Sequence, residues 1–455
     1  MVFALILLGP AVWATASLLL EEAFTHLEGW QVTDYLINYG SGFVRRGLFG
    51  SLLLQLVDWG IPINPSALSL ALTLASLWLI ALMIALAMRK LSRLNALLIV
   101  FSPALLPMFH ALEPLGAGRK DALLLLTIAA GLLFFETLRG RRRRLAMRLM
   151  LMVVLPLLTL CHEASLLFIA IPLCALDLLS QGDRSGRLLR SHLCSLALAL
   201  IPTLFCFVLL AITPDLSPSQ IKEMCQVWTG RDLAIRCDPL PSYFMALRDY
   251  PLHRRIAQSA FVSPRFYLSM ALTLAYLTLM LRGPLLELAV LQVSEVEKKG
   301  LFNKITPNRV LPVAGSMPSQ QAVATGQLEE RMPRCVTRAI ERSILLAVAL
   351  LTLLPSLPIY ALACDFGRWV SLSFTILVLQ LCSSRYLAAL TQALQPAFVA
   401  LQRIDALLPT MRPGWASLML VIATACLRLP TMAAPPLLLI PNLRLLRSAF
   451  SSLLP

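Results

Sequence analysis

Long apolar stretches, separated by short charged connections, make up most of the chain. Runs near or above the roughly 18 apolar residues that predict a membrane-spanning helix recur along its length. They predict spans at about 2–20, 66–88, 94–112, 121–138, 145–161, 164–180, 192–213, 264–282, 341–362, 369–384 and 414–430, with a twelfth candidate at 435–450. The pattern predicts an all-α fold, a polytopic transmembrane helical bundle of about eleven spans within a range of about ten to twelve.

Residues 145–180 allow two interpretations, a single long tilted helix or two short ones. A single crossing leaves one of two basic clusters, 139–148 or 184–190, outside the cell, whereas two helices that meet near Cys161-His162-Glu163 keep both inside. Short helices that stop within the membrane are acceptable where the turn is covered by protein or lines a wet cavity. We therefore predict two helices with a polar site at their turn.

Basic residues cluster in alternate connections. The clusters are Arg89, Lys90 and Arg93, then the run from Arg139 to Arg148, then Arg184, Arg187 and Arg190. The positive-inside rule places these connections in the cytoplasm, together with the N-terminus. The first 20 residues have no basic start, which favours an uncleaved first span over a signal peptide.

This topology divides the chain into three parts. Residues 1–282 form an N-terminal transmembrane core with outer loops at 21–65 and 214–263, and 341–455 form a C-terminal transmembrane segment. Residues 283–340, which contain Gly-Ser-Met-Pro-Ser-Gln-Gln, are predicted to be a flexible cytoplasmic linker. The sequence has no zinc, Walker or dinucleotide motif, and nothing in it indicates an ATP-driven machine.

Composition agrees with a membrane protein. Of the 455 residues, 58% are hydrophobic and 14% are charged, whereas a soluble domain carries roughly 25% charged residues. The formal charge of +15 raises nucleic acid as a partner, but loop arginines that fix topology explain the excess more simply. We therefore expect the lipid bilayer, and no nucleic acid, as a partner.

Ionisable residues gather at the outer ends of the predicted spans. They are Glu21, Glu22, His26, Glu28, Asp34, Arg45 and Arg46 in the first loop, Glu113, Arg119, Lys120 and Asp121 in the second, His162 and Glu163 in the third, and Asp365 and Arg368 in the fourth. Charges at this depth are costly and usually face a cavity or each other. We therefore expect these four turns to form one site.

Each group also has a simpler explanation. Arg45 and Arg46 fit an anchor to anionic headgroups. Arg119 and Lys120 fit a solvated rim, with Asp121 capping the next span. Glu163 fits a buried partner of His162 or of an arginine, and Asp365 with Arg368 fits a structural salt bridge. The convergence of several arginines, carboxylates and one histidine on one face favours a site for a phosphorylated substrate instead.

The chemistry of these residue types suits such a substrate. A guanidinium binds phosphate through two parallel hydrogen bonds, and a glycine-rich turn that opens a helix offers backbone N–H groups to the same anion. A carboxylate beside an acceptor hydroxyl acts as a general base when its pKa suits the operating pH. A base combined with a phosphate clamp is what glycosyl transfer from a lipid-phosphate donor requires.

Several of these segments resemble a known group of proteins. Asp34-Tyr35, Tyr39 to Leu48, Gly118-Arg119-Lys120-Asp121, His162-Glu163 and Asp365-Phe366-Gly367-Arg368-Trp369 are similar to a bacterial family of polytopic proteins from surface-polysaccharide gene clusters. That family is broadly similar to lipid-sugar-dependent, GT-C-like glycosyltransferases and O-antigen polymerases. The resemblance implies a location in the bacterial inner membrane and an undecaprenyl-(pyro)phosphate-linked sugar as substrate.

The resemblance also implies roles for individual residues. Asp34 matches the proposed base of GT-C enzymes, with Glu21, Glu22 and Glu28 as rivals, and His162 and Glu163 complete the catalytic group. The residues expected to bind the phosphate or the rest of the substrate are Tyr39, Arg45, Arg46, Arg119, Lys120, Asp121, Asp365 and Arg368. No cofactor is certain, and a divalent metal stays an alternative.

The leading hypothesis is a membrane glycosyltransferase or polysaccharide polymerase that works on the periplasmic face. The alternative is a transporter or flippase for the same lipid-linked sugars, for which charges deep inside several helices and repeat symmetry are expected. The charges of this chain lie at the outer rim instead, and no internal repeat is visible. A non-catalytic scaffold leaves the charged turns unexplained.

The predicted outer loop 214–263 carries two cysteines in polar sequence. Cys225 and Cys237 are disulfide candidates, because an oxidising periplasm allows them to close a loop and rigidify a lid. Trp228 and Tyr243 lie nearby and suit stacking on sugar faces, although aromatic residues at a membrane interface are the simpler interpretation.

Overall fold

The computed structural model describes seven stretches of the chain and a few isolated positions. The stretches are 30–88, 93–100, 104–112, 119–180, 186–213, 216–231 and 366–387, and the positions are 102, 233, 235–238, 240, 241, 244, 271 and 287. The helices are α1 Trp30–Leu36, α2 Gly47–Asp58, α3 Pro65–Met88, α4 Arg93–Val100, α5 Leu106–Leu112, α6 Asp121–Thr137, α7 Gly140–Leu149, α8 Leu155–Cys161, α9 Ser165–Phe168, α10 Ala170–Ser180, α11 Gly186–Ile212, α12 Pro218–Thr229 and α13 Phe366–Cys382. No strand occurs in the described stretches.

A long apolar bundle forms the larger of two hydrophobic cores. Helix α6 packs between α3 and α10, while α13 packs against α3, α5 and α6. The shared core includes Leu77, Leu125, Phe168, Leu176 and Leu379, all of which are buried. Helix α13 is distant in sequence from α3, α5 and α6, so these contacts join distant parts of the chain.

Helices α7 and α8 form one continuous rod through a π-helical turn at Met150–Val154. In that turn the N–H of Leu155 donates to the carbonyl of Met150, five residues back. Pro156 follows at once and has no N–H to donate, which interrupts the α-helical pattern at this point. The rod begins at Gly140, earlier than the predicted 145, because the arginine run is itself helical.

Two antiparallel helices, and not one long helix, occupy residues 140–180. Helix α7 packs against α10, and Arg148 Nη2 lies 2.9 Å from Asp177 Oδ2. Straight helical geometry would separate these two residues by roughly 43 Å at 1.5 Å per residue. The break falls at His162, whose backbone is extended. The prediction of two helices that meet near Cys161-His162-Glu163 is therefore confirmed.

The predicted span 94–112 is wrong as a single helix. The chain forms α4 and α5 there, and Thr375 of α13 accepts a hydrogen bond of 2.9 Å from the N–H of Leu106 at the start of α5. The sequence has Pro103 between the two helices, and a proline disfavours helical backbone at the residue before it. Two short helices therefore replace one span.

A second, smaller core joins the segment around α1 and α2 to α12. The Trp228 indole N–H donates to the carbonyl of Leu36 at 2.7 Å, and Asn38 Nδ2 donates to the carbonyl of Met224 at 3.3 Å. Helix α12 is well specified locally, because Ser217 and Gln220 form a capping box and Pro218 occupies the first turn. Residues 216–231 thus lie on the loop that contains the arginine pair.

The described helices agree with a membrane protein. Three are long and apolar enough to cross a bilayer, at Pro65–Ala85, Gly140–Cys161 and Ser191–Ile212. Shorter apolar helices lie at Gly47–Asp58, Ser165–Ser180 and Gly367–Cys382. The predicted spans 2–20, 264–282, 341–362, 414–430 and 435–450 and the linker 283–340 lie outside the described residues, apart from the single positions 271 and 287.

Candidate functional site

Arg45 and Arg46 lie directly before α2, which begins at Gly47. Arg46 precedes the helix and has a left-handed backbone, with φ 67° and ψ 11°, the one such non-glycine residue in the described stretches. Left-handed backbone is uncommon for a residue with a side chain and persists where its surroundings hold it. Gly47 and Gly50 let α2 approach the loop closely, because a Cβ would overlap the Tyr39 ring at the first and the Ile37 carbonyl at the second.

The guanidinium of Arg46 joins the segment around Asp34 to the turn that contains Glu163. Its Nε and Nη2 donate to the two carboxylate oxygens of Glu163, each at 2.7 Å. Its Nη1 lies 3.6 Å from Asp34 Oδ1. Asp34 is the more deeply buried carboxylate, with 1% of its side chain exposed against 26% for Glu163. Arg46 therefore binds one buried and one accessible carboxylate at the same time.

Lys120 supports this arrangement from the N-terminal end of α6. Its Nζ donates to the backbone carbonyl of Arg46 at 2.9 Å and lies 3.9 Å from Asp34 Oδ1. The lysine side chain is fully buried. The hydroxyl of Tyr35 donates to the carbonyl of Arg119 at 2.9 Å, so α1 is also fixed to this turn.

Asp121 forms the centre of an adjoining cluster. Its Oδ2 lies 2.9 Å from Nε of Arg368 on α13, and its Oδ1 lies 3.4 Å from Nε2 of His162. His162 Nδ1 accepts a hydrogen bond from the N–H of Ala164, which leaves the ring proton on Nε2, facing Asp121. The Arg368 guanidinium lies 4.0 Å above the Trp369 ring, and that ring also contacts His162 edge-on.

Electrostatics keep both carboxylates of the Arg46 cluster ionised. Burial raises the pKa of the Asp34 carboxyl, but Lys120 and Arg46 outweigh burial and hold it below its usual value. Burial also raises the pKa of Glu163, but the charge of Arg46 outweighs burial and holds this pKa well below its usual value. Burial and the Arg46 charge lower the pKa of His162, so this ring is neutral at pH 7.

Among the described residues of the cluster, cations outnumber anions. Within the described part of the chain, the charged members are Arg45, Arg46, Arg119, Lys120 and Arg368 against Asp34, Asp121 and Glu163. Arg45 and Arg119 belong to it because their charges act on Glu163 and Asp34, respectively. The excess of positive charge suits an anionic ligand.

The structure brings most of the predicted site residues together. Asp34, Arg46, Lys120 and Glu163 form one set of contacts and Asp121, His162 and Arg368 form the adjoining set, with Arg45 and Arg119 beside them. Tyr39 lies on the same loop with its ring stacked on Phe43 at 5.1 Å. Burial raises the pKa of Tyr39 to about 12, which keeps its hydroxyl a donor. Asp365, Glu21, Glu22 and Glu28 lie outside the described residues.

Two of the simpler explanations are wrong. Lys120 is fully buried, so the Arg119-Lys120 turn is not a solvated rim. Asp121 does not cap α6, because it is the first residue of that helix and its carboxylate faces Arg368 and His162. Local sequence rules cannot predict these contacts, because His162 and Arg368 lie about 40 and 250 positions from Asp121.

The predicted outer loop 214–263 fits the prediction in one respect and differs in another. Cys225 and Cys237 form a disulfide bond. Trp228 is fully buried and bonded to Leu36, so it is part of the smaller core and cannot stack on a sugar. Tyr243 lies outside the described residues. Gln220 Nε2 donates to the carbonyl of Ser41 at 3.3 Å, which attaches α12 to the arginine loop.

Two aromatic residues of the site were missed by the prediction of site residues. Tyr35 fixes the Arg119 turn, and Trp369 lies between Arg368 and Phe168, stacked on the phenyl ring at 5.4 Å. Both are adjacent in sequence to a predicted charged residue, which is the signal that could have identified them. No group of three or more His, Cys, Asp or Glu residues suited to a metal ion occurs among the described residues.

Comparison with known proteins places the chain among membrane proteins. A family model described as "Uncharacterised membrane protein Rv1490" matches residues 2–233. That range includes Asp34, Arg46, Lys120 and Glu163 but ends before Arg368. No curated protein and no solved structure is significantly similar to the chain.

Proposed function

The chain belongs to this family of membrane proteins, and we propose that it is a membrane glycosyltransferase or polysaccharide polymerase that uses polyprenyl-(pyro)phosphate-linked sugars. The observation that carries the proposal is the convergence of charged residues from four turns, with Arg46 and Lys120 at Asp34 and Glu163, and Arg368 at the adjoining Asp121. Guanidinium and ammonium groups that outnumber their carboxylate partners favour a phosphate ligand. The bundle would have about eleven spans and a GT-C-like architecture, with residues 283–340 as a cytoplasmic linker.

The position of the cluster supports an outward-facing site. The rod Gly140–Cys161 carries the arginine run 141–144 at one end and is followed by His162 and Glu163 at the other. Basic residues at the end of a membrane helix favour the cytoplasmic side. The cluster would then face the periplasm, across a bacterial inner membrane, with the N-terminus in the cytoplasm.

The reaction assigns a task to each part of the cluster. Arg46, Lys120 and their neighbours Arg45 and Arg119 would hold the donor phosphate. The acceptor hydroxyl would attack C1 of the sugar, the bond from C1 to the phosphate oxygen would break, and its electron pair would leave with the phosphate. Asp34 would take the hydroxyl proton. His162, Glu163 and Arg368 would shape the site and orient the acceptor, with Asp365 as a further candidate.

A test of this proposal compares cell-surface glycans between strains. Cells that carry Arg45→Ala with Arg46→Ala, or Asp34→Asn, are expected to have truncated or missing glycan at an unchanged protein level, as checked by immunoblot. A Lys222→Ala strain is the matched control, because Lys222 pairs with Asp238 at an exposed position. Full-length glycan in both test strains would contradict the proposed function. Single repeat units held on lipid inside the cell would indicate the flippase alternative.

A further inference from the structure

We propose that Glu163 occupies, in the resting protein, the place that a substrate phosphate takes on Arg46, and that binding of the phosphate displaces it. This inference rests on the proposed function and adds to it the position of the phosphate and the order of events. Glu163 would thus be a built-in competitor for the anion site.

The hydrogen bonds of Arg46 define the place. Its Nε and Nη2 form a planar fork that donates to both oxygens of the Glu163 carboxylate at 2.7 Å. A phosphate presents two oxygens to a guanidinium in the same parallel arrangement. The fork can therefore exchange a carboxylate for a phosphate without a change in its own geometry.

The burial of the two carboxylates decides which one is exchanged. Asp34 is 1% exposed and is bound by Lys120 as well as Arg46, whereas Glu163 is 26% exposed. Glu163 lies in the turn between α8 and α9, where its carbonyl takes part in a long bond of 3.4 Å with Leu166. An anion that arrives from water therefore exchanges with Glu163, while Asp34 stays paired with Lys120 and Arg46.

Arg46 is held independently of Glu163. Its backbone carbonyl accepts from Lys120 Nζ at 2.9 Å, and its left-handed backbone is fixed between the loop and the first turn of α2. The fork is thus preorganised, which lowers the entropic cost of binding an anion. Displacement would leave the Glu163 carboxylate able to accept a hydrogen bond from the acceptor hydroxyl.

The test measures anion binding to the full chain in detergent micelles by isothermal titration calorimetry. The probes are inorganic phosphate and a polyprenyl phosphate, and the variants are Glu163→Gln and Arg46→Gln. Glu163→Gln removes the competing charge and is expected to tighten anion binding by about tenfold. The reason is that residue 163 no longer occupies the Arg46 fork, so more of the protein is competent to bind the anion. Arg46→Gln is expected to abolish binding. Glu136→Gln is the control, since Glu136 is 30% exposed and pairs with Arg385 away from the cluster.

The outcomes separate this inference from the proposed function. Tighter binding of both probes to Glu163→Gln supports displacement by the phosphate group alone, and tighter binding of the polyprenyl phosphate only supports displacement that needs the lipid. Equal binding by wild type and Glu163→Gln, with loss in Arg46→Gln, overturns the displacement but keeps the phosphate site. Absence of binding in every variant overturns both. Glu163→Asp, whose shorter side chain weakens the fork contact, replaces Glu163→Gln if that variant does not fold and is expected to bind several-fold more tightly.

Discussion

Lys120 donates a hydrogen bond from Nζ to the backbone carbonyl of Arg46 at 2.9 Å, from a fully buried position. The same ammonium lies 3.9 Å from Asp34 Oδ1. Lys120 therefore fixes the backbone that carries the anion-binding arginine and balances the buried carboxylate beside it. The cluster depends on Lys120 for its shape as well as its charge.

Lys120→Met is expected to destabilise the protein strongly. Loss of one partner from a buried charge cluster costs about 3–5 kcal/mol, because Asp34 loses a balancing charge. The measurement is the free energy of unfolding in detergent, followed by tryptophan fluorescence. Lys222→Met, at the exposed pair with Asp238, is expected to change it by less than about 0.5 kcal/mol. Equal stability of the two variants would contradict the buried role of Lys120.

Asp121 and Arg368 are expected to be energetically coupled. Their contact of 2.9 Å joins α6 to α13, and both side chains are buried. In a double-mutant cycle of Asp121→Asn and Arg368→Gln, we expect a coupling energy of about 0.5–3 kcal/mol, because the double variant leaves no unpaired charge. Additive effects would show that the contact contributes nothing to stability.

The stability of the folded protein is expected to decrease in two steps as the pH is lowered. The folded pKa of His162 is below its ordinary value of 6.5, so the unfolded chain takes up this proton first and stability is lost as the pH falls below that value. The pKa values of Asp34 and Glu163 are also lowered in the folded state, and their contribution is lost in the acid range below about pH 4. Melting temperatures measured between pH 8 and pH 4 should show a shallower first step in His162→Gln, and identical profiles would refute the assignment.

Gly50→Ala is expected to lower the stability of the protein where α2 packs against Ile37. A Cβ at this position would overlap the backbone carbonyl of Ile37, and backbone cannot move aside as a flexible side chain can. Overpacking of this kind costs about 1–3 kcal/mol. Gly230→Ala is a matched control, because its Cβ would meet the nearest atom at 3.8 Å. A loss of stability in the control variant alone would contradict the predicted overlap.

Removal of the disulfide is expected to loosen α12. Cys225 and Cys237 close a short loop, with a sequence separation of 12, and the bond constrains the unfolded chain. Cys225→Ser should lower stability by about 2–4 kcal/mol and increase cleavage of residues 216–244 in limited proteolysis. Cys194→Ser, at an exposed free cysteine, is the control. Protease resistance equal to wild type would show that the smaller core holds α12 without the bond.

The sequence alone predicted a membrane protein and the charged residues that the structure describes in the cluster. Apolar stretches near membrane-spanning length predict membrane helices because a bilayer requires every backbone polar group to be bonded within the segment. Costly charges at the ends of several spans predict that those ends meet, since each needs a partner. The parity of the basic connections likewise predicted two helices within 145–180.

Which partner each charge has depends on long-range packing. Arg45 and Arg46 are adjacent and chemically identical, yet the left-handed backbone at Arg46 aims that residue at Glu163. Asp121 pairs with Arg368 because α13 packs against α6, a contact that no local pattern encodes. Trp228 is a core residue because of long-range packing as well, since its burial depends on the contact between α12 and the segment that contains Leu36. Local sequence fixes what a residue can do, and long-range packing fixes what it meets.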